Sequence, residues 1–149
     1  MEISFRKFTS SDKGVLAEMI LGLYTEDPSD KIVDIKKIDR TFEALLNEPT
    51  RGTIMVFEKG DEIAGYSILI NFWSNEFGGN ILIIDELFVQ KDFRSQGIAS
   101  RFIQHLVATP FNDSVALQLE VTPDNHRALA LYKSLGFKKH KNDYYDLLI

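Results

Sequence analysis

The chain has no cysteine among its 149 residues. That excludes disulfide staples, thiolate metal sites and a cysteine acyl-enzyme, and it fits a reducing compartment. Its 3 histidines, His105, His126 and His140, are scattered without ligand spacing, so no metal is expected. Basic residues are in deficit: 17 Lys and Arg against 22 Asp and Glu give a formal net charge of −5. With no basic stripe or cluster, nucleic acid is not an expected partner. No apolar run approaches the length of a membrane span, and Met1-Glu2-Ile3-Ser4 carries no signal-peptide pattern. The expectation is a soluble cytoplasmic protein with no membrane partner. Linkers, repeats and low-complexity stretches are also missing, so residues 1–149 read as one domain. A chain of this size buries roughly two-thirds of its unfolded surface and can build a core without staples.

What is there divides into alternating and helical periods. Residues 3–8 alternate apolar and polar, as a strand does. Ser10 or Ser11 can cap a helix with Val15, Leu16, Met19, Ile20 and Leu23 on one face. After the acidic turn at residues 25–30, a second helix carries Ile35, Ile38, Phe42, Leu45 and Leu46, with Pro49 beyond its end. Residues 53–58 and 62–72 form strands around Lys59-Gly60-Asp61, a hairpin signal. Gly78-Gly79 precedes a strand at 81–89, which a helix at 98–107 follows. Ile98, Ala99, Phe102, Ile103, Leu106 and Val107 share that helix's apolar face. A strand at 115–121, a helix opened by Pro123-Asp124-Asn125, and closing strands at 137–139 and 144–148 complete the chain. The order βααβββαβαββ predicts an α+β or three-layer domain on a mixed sheet. The two strands joined by the helix crossover must be parallel.

Arg94-Ser95-Gln96-Gly97-Ile98-Ala99 is the most informative stretch. It joins a strand to a helix N-terminus, where backbone N–H groups are free and the helix dipole is positive. A glycine there lets a phosphate reach the backbone, so a phosphorylated ligand is expected at residues 94–100. Further on come the second strand, then Asn125 with Ala128 and Tyr132 on the next helix, then Leu135-Gly136-Phe137. Strand, R-x-x-G-x-A, helix, strand, N-x-x-A-x-x-x-Y and L-G-F in that order resembles the GNAT superfamily of N-acetyltransferases, over residues 81–137. Ala99 fits the family pattern. Ser95 and Gln96 stand where many members have glycine or a basic residue.

The resemblance implies α/β/α layers on a mixed, mostly antiparallel sheet, with about four helices. It implies that the parallel strand pair splays apart and that acetyl-CoA, the co-substrate, lays its pantetheine arm in the gap. Arg94 would then contact the pyrophosphate, with the N–H groups around Gln96, Gly97, Ile98 and Ala99 cradling it and Ser95 and Ser100 alongside. Leu87, Phe88 and Val89 would pair with the pantetheine amides through their backbone, as an added strand does. Asn125 is a contact for the pantetheine or phosphate arm, or a helix N-cap; the two roles can coexist.

Amine acetylation needs a proton removed from the amine and a stabilised leaving thiolate. Glu86, and second Asp85, are candidates for base or water relay, because adjacent carboxylates interrupting an apolar strand need an explanation. In a regular strand they face opposite ways; a bulge near Phe88, which the resemblance implies, would change which faces the site. The alternative is a carboxylate that satisfies a structural donor. Tyr132 is the candidate acid facing the CoA sulfur, or else a half-buried aromatic. Trp73 and Phe77 could wall a pocket, serve a dimer contact or pack the hairpin. Glu26, Asp27, Asp30 and Glu76 could line a cationic acceptor site or sit solvated in loops.

The expected activity is transfer of an acetyl group from acetyl-CoA to a primary amine, on a small molecule or polyamine or on a protein Lys or N-terminus, by direct attack in a ternary complex. The alternative is a non-catalytic acyl-CoA-binding or interaction module. The expected partner is a small-molecule or peptide amine acceptor, and a second copy forming a homodimer is a further candidate.

Overall fold

A computed structural model describes residues 2–149. In chain order the elements are β1 (Ile3–Lys7), α1 (Lys13–Glu26), α2 (Ile35–Asn47), β2 (Gly52–Lys59), β3 (Glu62–Ser74), β4 (Gly79–Val89), α3 (Ile98–Ala108), β5 (Ala116–Leu119) and α4 (His126–Ser134), with short 3-10 turns between some of them. The sheet runs β1-β2-β3-β4-β5. The first three pairings are antiparallel and β4–β5 is parallel, as the helix crossover requires.

Both faces of the sheet are covered. Ile54, Val56, Tyr66, Ile68 and Phe88 pack with Leu16, Ile20, Ile38 and Phe42 of α1 and α2. Met55, Phe57, Leu69, Leu82 and Ile84 pack with Ile98, Phe102, Ile103 and Leu106 of α3. Double burial explains why β2 is apolar at successive positions and not at alternate ones.

α1 starts differently from the expectation. Neither Ser10 nor Ser11 caps it; the chain turns at Thr9, whose N–H donates to Asp12 Oδ2 at 2.7 Å. Arg6 of β1 clamps the same carboxylate at 2.8 and 2.9 Å. Val15 also lies off the buried face, and Val107 is exposed at the end of α3.

The sheet is irregular at one place that matters. Ile68 pairs with Glu86 and Leu69 with Ile84, so Asp85 is an extra residue in β4. The bulge therefore sits at Asp85, not near Phe88, and it turns Glu86 to the α1 side. β5 pairs with β4 only from Ile81–Ile84, through Ala116–Leu119. Past the bulge the two strands diverge, and the β4 edge from Leu87 to Val89 is open.

The closing strands do not form. Residues 137–139 and 144–148 have no ladder, and among the described residues β5 bonds only to β4. Phe137 is spent on ending α4: its N–H donates to Tyr132 O at 3.0 Å, after Gly136 at φ 94°. The stretch that follows, Lys138 to Asp143, is polar and cannot hold a strand face. Tyr144, Tyr145, Leu147 and Leu148 are left exposed.

Candidate functional site

A cleft of about 690 Å³ opens where β4 and β5 part. Its size is that of a small-molecule or cofactor site. The end of β4, the turn before α3, the first turns of α3 and α4, and the last turn of α1 line it. Leu87, Phe88, Val89, Arg94, Ser95, Gly97, Ile98, Ala99, Ser100, Asn125 and Tyr132 all reach it. These were the expected donor-binding positions. Gln96 is the exception: its side chain turns away, accepting from Lys59 Nζ at 2.5 Å and donating to Asp92 O at 3.1 Å.

The turn before α3 leaves its backbone exposed to the cleft. Gly97 precedes α3 at φ 75°, a left-handed conformation that side chains disfavour. A Cβ placed there would meet nothing within 4 Å, so the backbone is open on that side. The N–H groups of the first α3 turn have no acceptor within the helix. Ser95, itself at φ 63°, accepts from Arg127 Nη2 at 3.0 Å, which ties this turn to α4. Arg127 also lines the cleft and adds a second cation. These features fit a diphosphate-bearing ligand.

Arg94 is already engaged. Its Nε donates to Val89 O at 2.8 Å, and its Nη2 donates to both Glu26 oxygens, at 3.0 and 2.7 Å. Its guanidinium lies 5.6 Å from the centre of the Phe88 ring. Glu26 closes α1, and it and Asp27 face the cleft; Asp30 and Glu76 do not.

Glu86 and Asp85 do not line the cleft, although the neighbouring Leu87 does. Glu86 is held between two phenols. Tyr24 of α1 donates to Oε1 at 2.5 Å and Tyr66 of β3 to Oε2 at 2.9 Å. Burial pushes the Glu86 carboxyl up, and the two phenol donors, which favour its charged form, oppose that. Tyr24 and Tyr66 are both pushed above the ordinary phenol range, first by burial. Tyr24 also lines a second hollow of about 300 Å³, between the end of α1 and the loop that follows. Asp85 is exposed at the bulge, yet enough protein surrounds its carboxyl to raise it by desolvation.

Tyr132 reaches the cleft from α4, its ring edge-on to Phe137 at 5.6 Å. Burial raises its hydroxyl. Asn125 lines the cleft and also caps α4, accepting from Ala128 N at 3.2 Å. Trp73 and Phe77 lie far out on the β3–β4 hairpin, exposed and outside both hollows. Tyr24, Tyr66 and Arg127 were missed by the sequence reading. The described residues contain no group of three or more His, Cys, Asp or Glu placed to hold a metal, and no helix among them is long and apolar enough to cross a membrane.

A family model described as "Acetyltransferase (GNAT) family" matches residues 17–137. A thialysine N-epsilon-acetyltransferase of Bos taurus is 32% identical over 79 residues, covering 52% of this chain. The match covers 46% of that relative, less than half its length. Among solved structures, a possible acetyltransferase from Clostridium difficile 630 superposes with a TM-score of 0.85 at 23% identity, covering 100% of this chain and 99% of the other. A predicted acetyltransferase of Clostridium acetobutylicum, solved with acetyl-CoA, gives 0.78 at 16% identity, covering 99% and 96%. At these identities the structural likeness is one of fold.

Proposed function

This chain belongs to the acetyltransferase (GNAT) family, and on that premise we propose that it transfers an acetyl group from acetyl-CoA to a primary amine. One observation carries the reading: a sheet that parts beyond Ile84 beside a glycine turn open to anions, with Arg94 and Arg127 at the same cleft. The donor's diphosphate would lie on the α3 turn, its pantetheine along the open edge of Leu87–Val89, and its thioester toward Tyr132. Asn125 keeps its cap and offers its remaining polar atoms to the donor arm.

The reaction makes a C–N and an S–H bond and breaks a C–S and an N–H bond. The amine nitrogen attacks the thioester carbonyl carbon, the C–S bond breaks, the amine proton leaves for a base and the CoA sulfur gains a proton. Glu86 is the proposed base, directly or through water, and Tyr132 the proposed donor to sulfur. The acceptor is proposed to approach by the second hollow, whose wall includes Tyr24, the residue bonded to Glu86. With no cysteine in the chain, attack within a ternary complex is the proposed route. Thialysine, named for the bovine relative, represents the class of amine to try first. The cytoplasm is the proposed location.

Donor binding is tested by thermal shift. Acetyl-CoA at about a hundredfold its Kd should stabilise the fold by about 2.7 kcal/mol, several degrees for a domain of this size. Gly97→Ala should diminish the shift, since its Cβ would stand in the open space of the cradle. A wild type unmoved by millimolar CoA and acetyl-CoA would overturn the assignment of the cleft.

A further inference from the structure

We propose that Glu26 is an internal rival of the donor: its carboxylate holds Arg94 in the donor-free protein and must release it when a diphosphate arrives. The inference rests on the reading of the cleft as the acetyl-CoA site. It starts from an oddity of charge. A cleft suited to a polyanion is also lined by the carboxylates of Glu26 and Asp27, and one of them sits on the arginine best placed for the ligand.

The geometry makes simultaneous occupancy poor. Arginine grips phosphate by a fork of two N–H donors, either Nε with Nη2 or Nη1 with Nη2. Both forks use Nη2, and Nη2 is the nitrogen that donates to both Glu26 oxygens. Nε is committed as well, to Val89 O. Val89 belongs to the strand edge where the pantetheine would pair. Two groups expected to bind the donor are therefore bound to each other. An arriving diphosphate would also face the Glu26 charge at close range.

The pair is suited to exchange. The side chains are 29% and 50% exposed for Arg94 and Glu26, and ion pairs this open contribute little and are screened by salt. The diphosphate offers more charge and a helix N-terminus as second anchor. Glu26 thus weighs on the diphosphate alone: a ligand with the diphosphate must displace Glu26 to take Arg94, and one that carries the pantetheine alone leaves the pair in place.

The experiment is calorimetric titration at fixed ionic strength with CoA and with pantetheine, on wild type, Glu26→Gln, Asp27→Asn and Arg94→Ala, and on Glu26→Gln combined with Arg94→Ala. Glu26→Gln should tighten CoA by about two- to fivefold, the scale of an exposed ion pair, and leave pantetheine unchanged. Asp27→Asn should gain less, and the Glu26→Gln gain should vanish on the Arg94→Ala background. Glu26→Ala, which keeps no hydrogen-bonding group, should give the same gain as Glu26→Gln. Unchanged or weaker CoA binding by Glu26→Gln, beside a wild type that binds CoA, overturns the exchange and leaves the cleft assignment standing. So does an equal gain from Asp27→Asn, which would reduce the effect to general repulsion. No CoA binding by any of these proteins overturns both readings.

Discussion

Glu86 has a hydrogen bond on each oxygen, from phenols that approach on α1 and on β3. The arrangement fixes the carboxylate between two donors while burial acts against its charge. Burial favours the protonated form, and the phenols favour the ionised one. As a base, Glu86 must be ionised, so activity should fall as pH drops through its raised pKa. Glu86→Gln should lower turnover and remove that acidic limb from kcat/KM while CoA binding persists. Tyr24→Phe removes one donor to the ionised form. The limb should then move to higher pH, since loss of a bond to the anion raises its pKa. A Tyr24→Phe profile superimposable on wild type would show that Glu86 is not the titrating base. Tyr132→Phe keeps the ring against Phe137 and loses the hydroxyl. Turnover should fall by about a hundredfold, the low end for acid catalysis with a thiolate leaving group, and CoA affinity should stay. Steady-state kinetics on the best amine decides it, and unchanged turnover would make Tyr132 a wall of the cleft alone. Glu86 stands out as a candidate in the chain because a carboxylate interrupts an apolar strand. Its partners were not: Tyr24 lies 62 residues away and Tyr66 20, and no local pattern marks a tyrosine whose hydroxyl turns inward.

At the scale of elements, one extra residue in β4 shapes the site. The bulge at Asp85 sends Glu86 toward α1, and beyond Ile84 the β4 edge is free of β5. Strand and helix periods foretold β4, α3 and their junction well, because local sequence sets period, turn glycine and helix start together. The bulge position was misread, since it depends on the pairing with β3, which the β4 sequence does not contain. The closing strands failed for a related reason: strand-like residues at 144–148 need a ladder partner, and Phe137 is consumed in ending α4. The start of α1 is set by Asp12. The Arg6 guanidinium, with help from the Thr9 N–H, holds its carboxyl at about 2, below the usual carboxylate range. A depressed pKa stabilises the fold above the ordinary value and ceases to as pH falls toward about 2. Asp12→Ala should cost roughly 2–3 kcal/mol, somewhat below the loss from breaking a fully buried pair because Arg6 keeps Glu58. Urea unfolding at neutral pH checks the size. The deficit relative to wild type should narrow in acid as wild-type Asp12 protonates; a deficit constant down to pH 2 would contradict the ion-pair account.

For the whole molecule, the sheet carries one helical layer on each face, and the cleft lies where the two layers meet the parting strands. Leu87 and Val89 pack toward α3, while Phe88 packs toward α1. The end of β4 therefore presents side chains to both layers at once. A donor on the α3 and α4 side and an acceptor on the α1 and α2 side would meet at this strand, with Glu86 and Tyr132 arriving from different layers. The most direct measurement is release of free CoA thiol from acetyl-CoA, with thialysine, lysine, polyamines and peptide amines supplied in turn and the acetylated product identified by mass. Amine-dependent thiol release, matched one for one by N-acetylated product and lost in Glu86→Gln, is the predicted result. Tight acetyl-CoA binding with no amine-dependent thiol release from any of these acceptors would contradict catalysis and leave a binding module in its place.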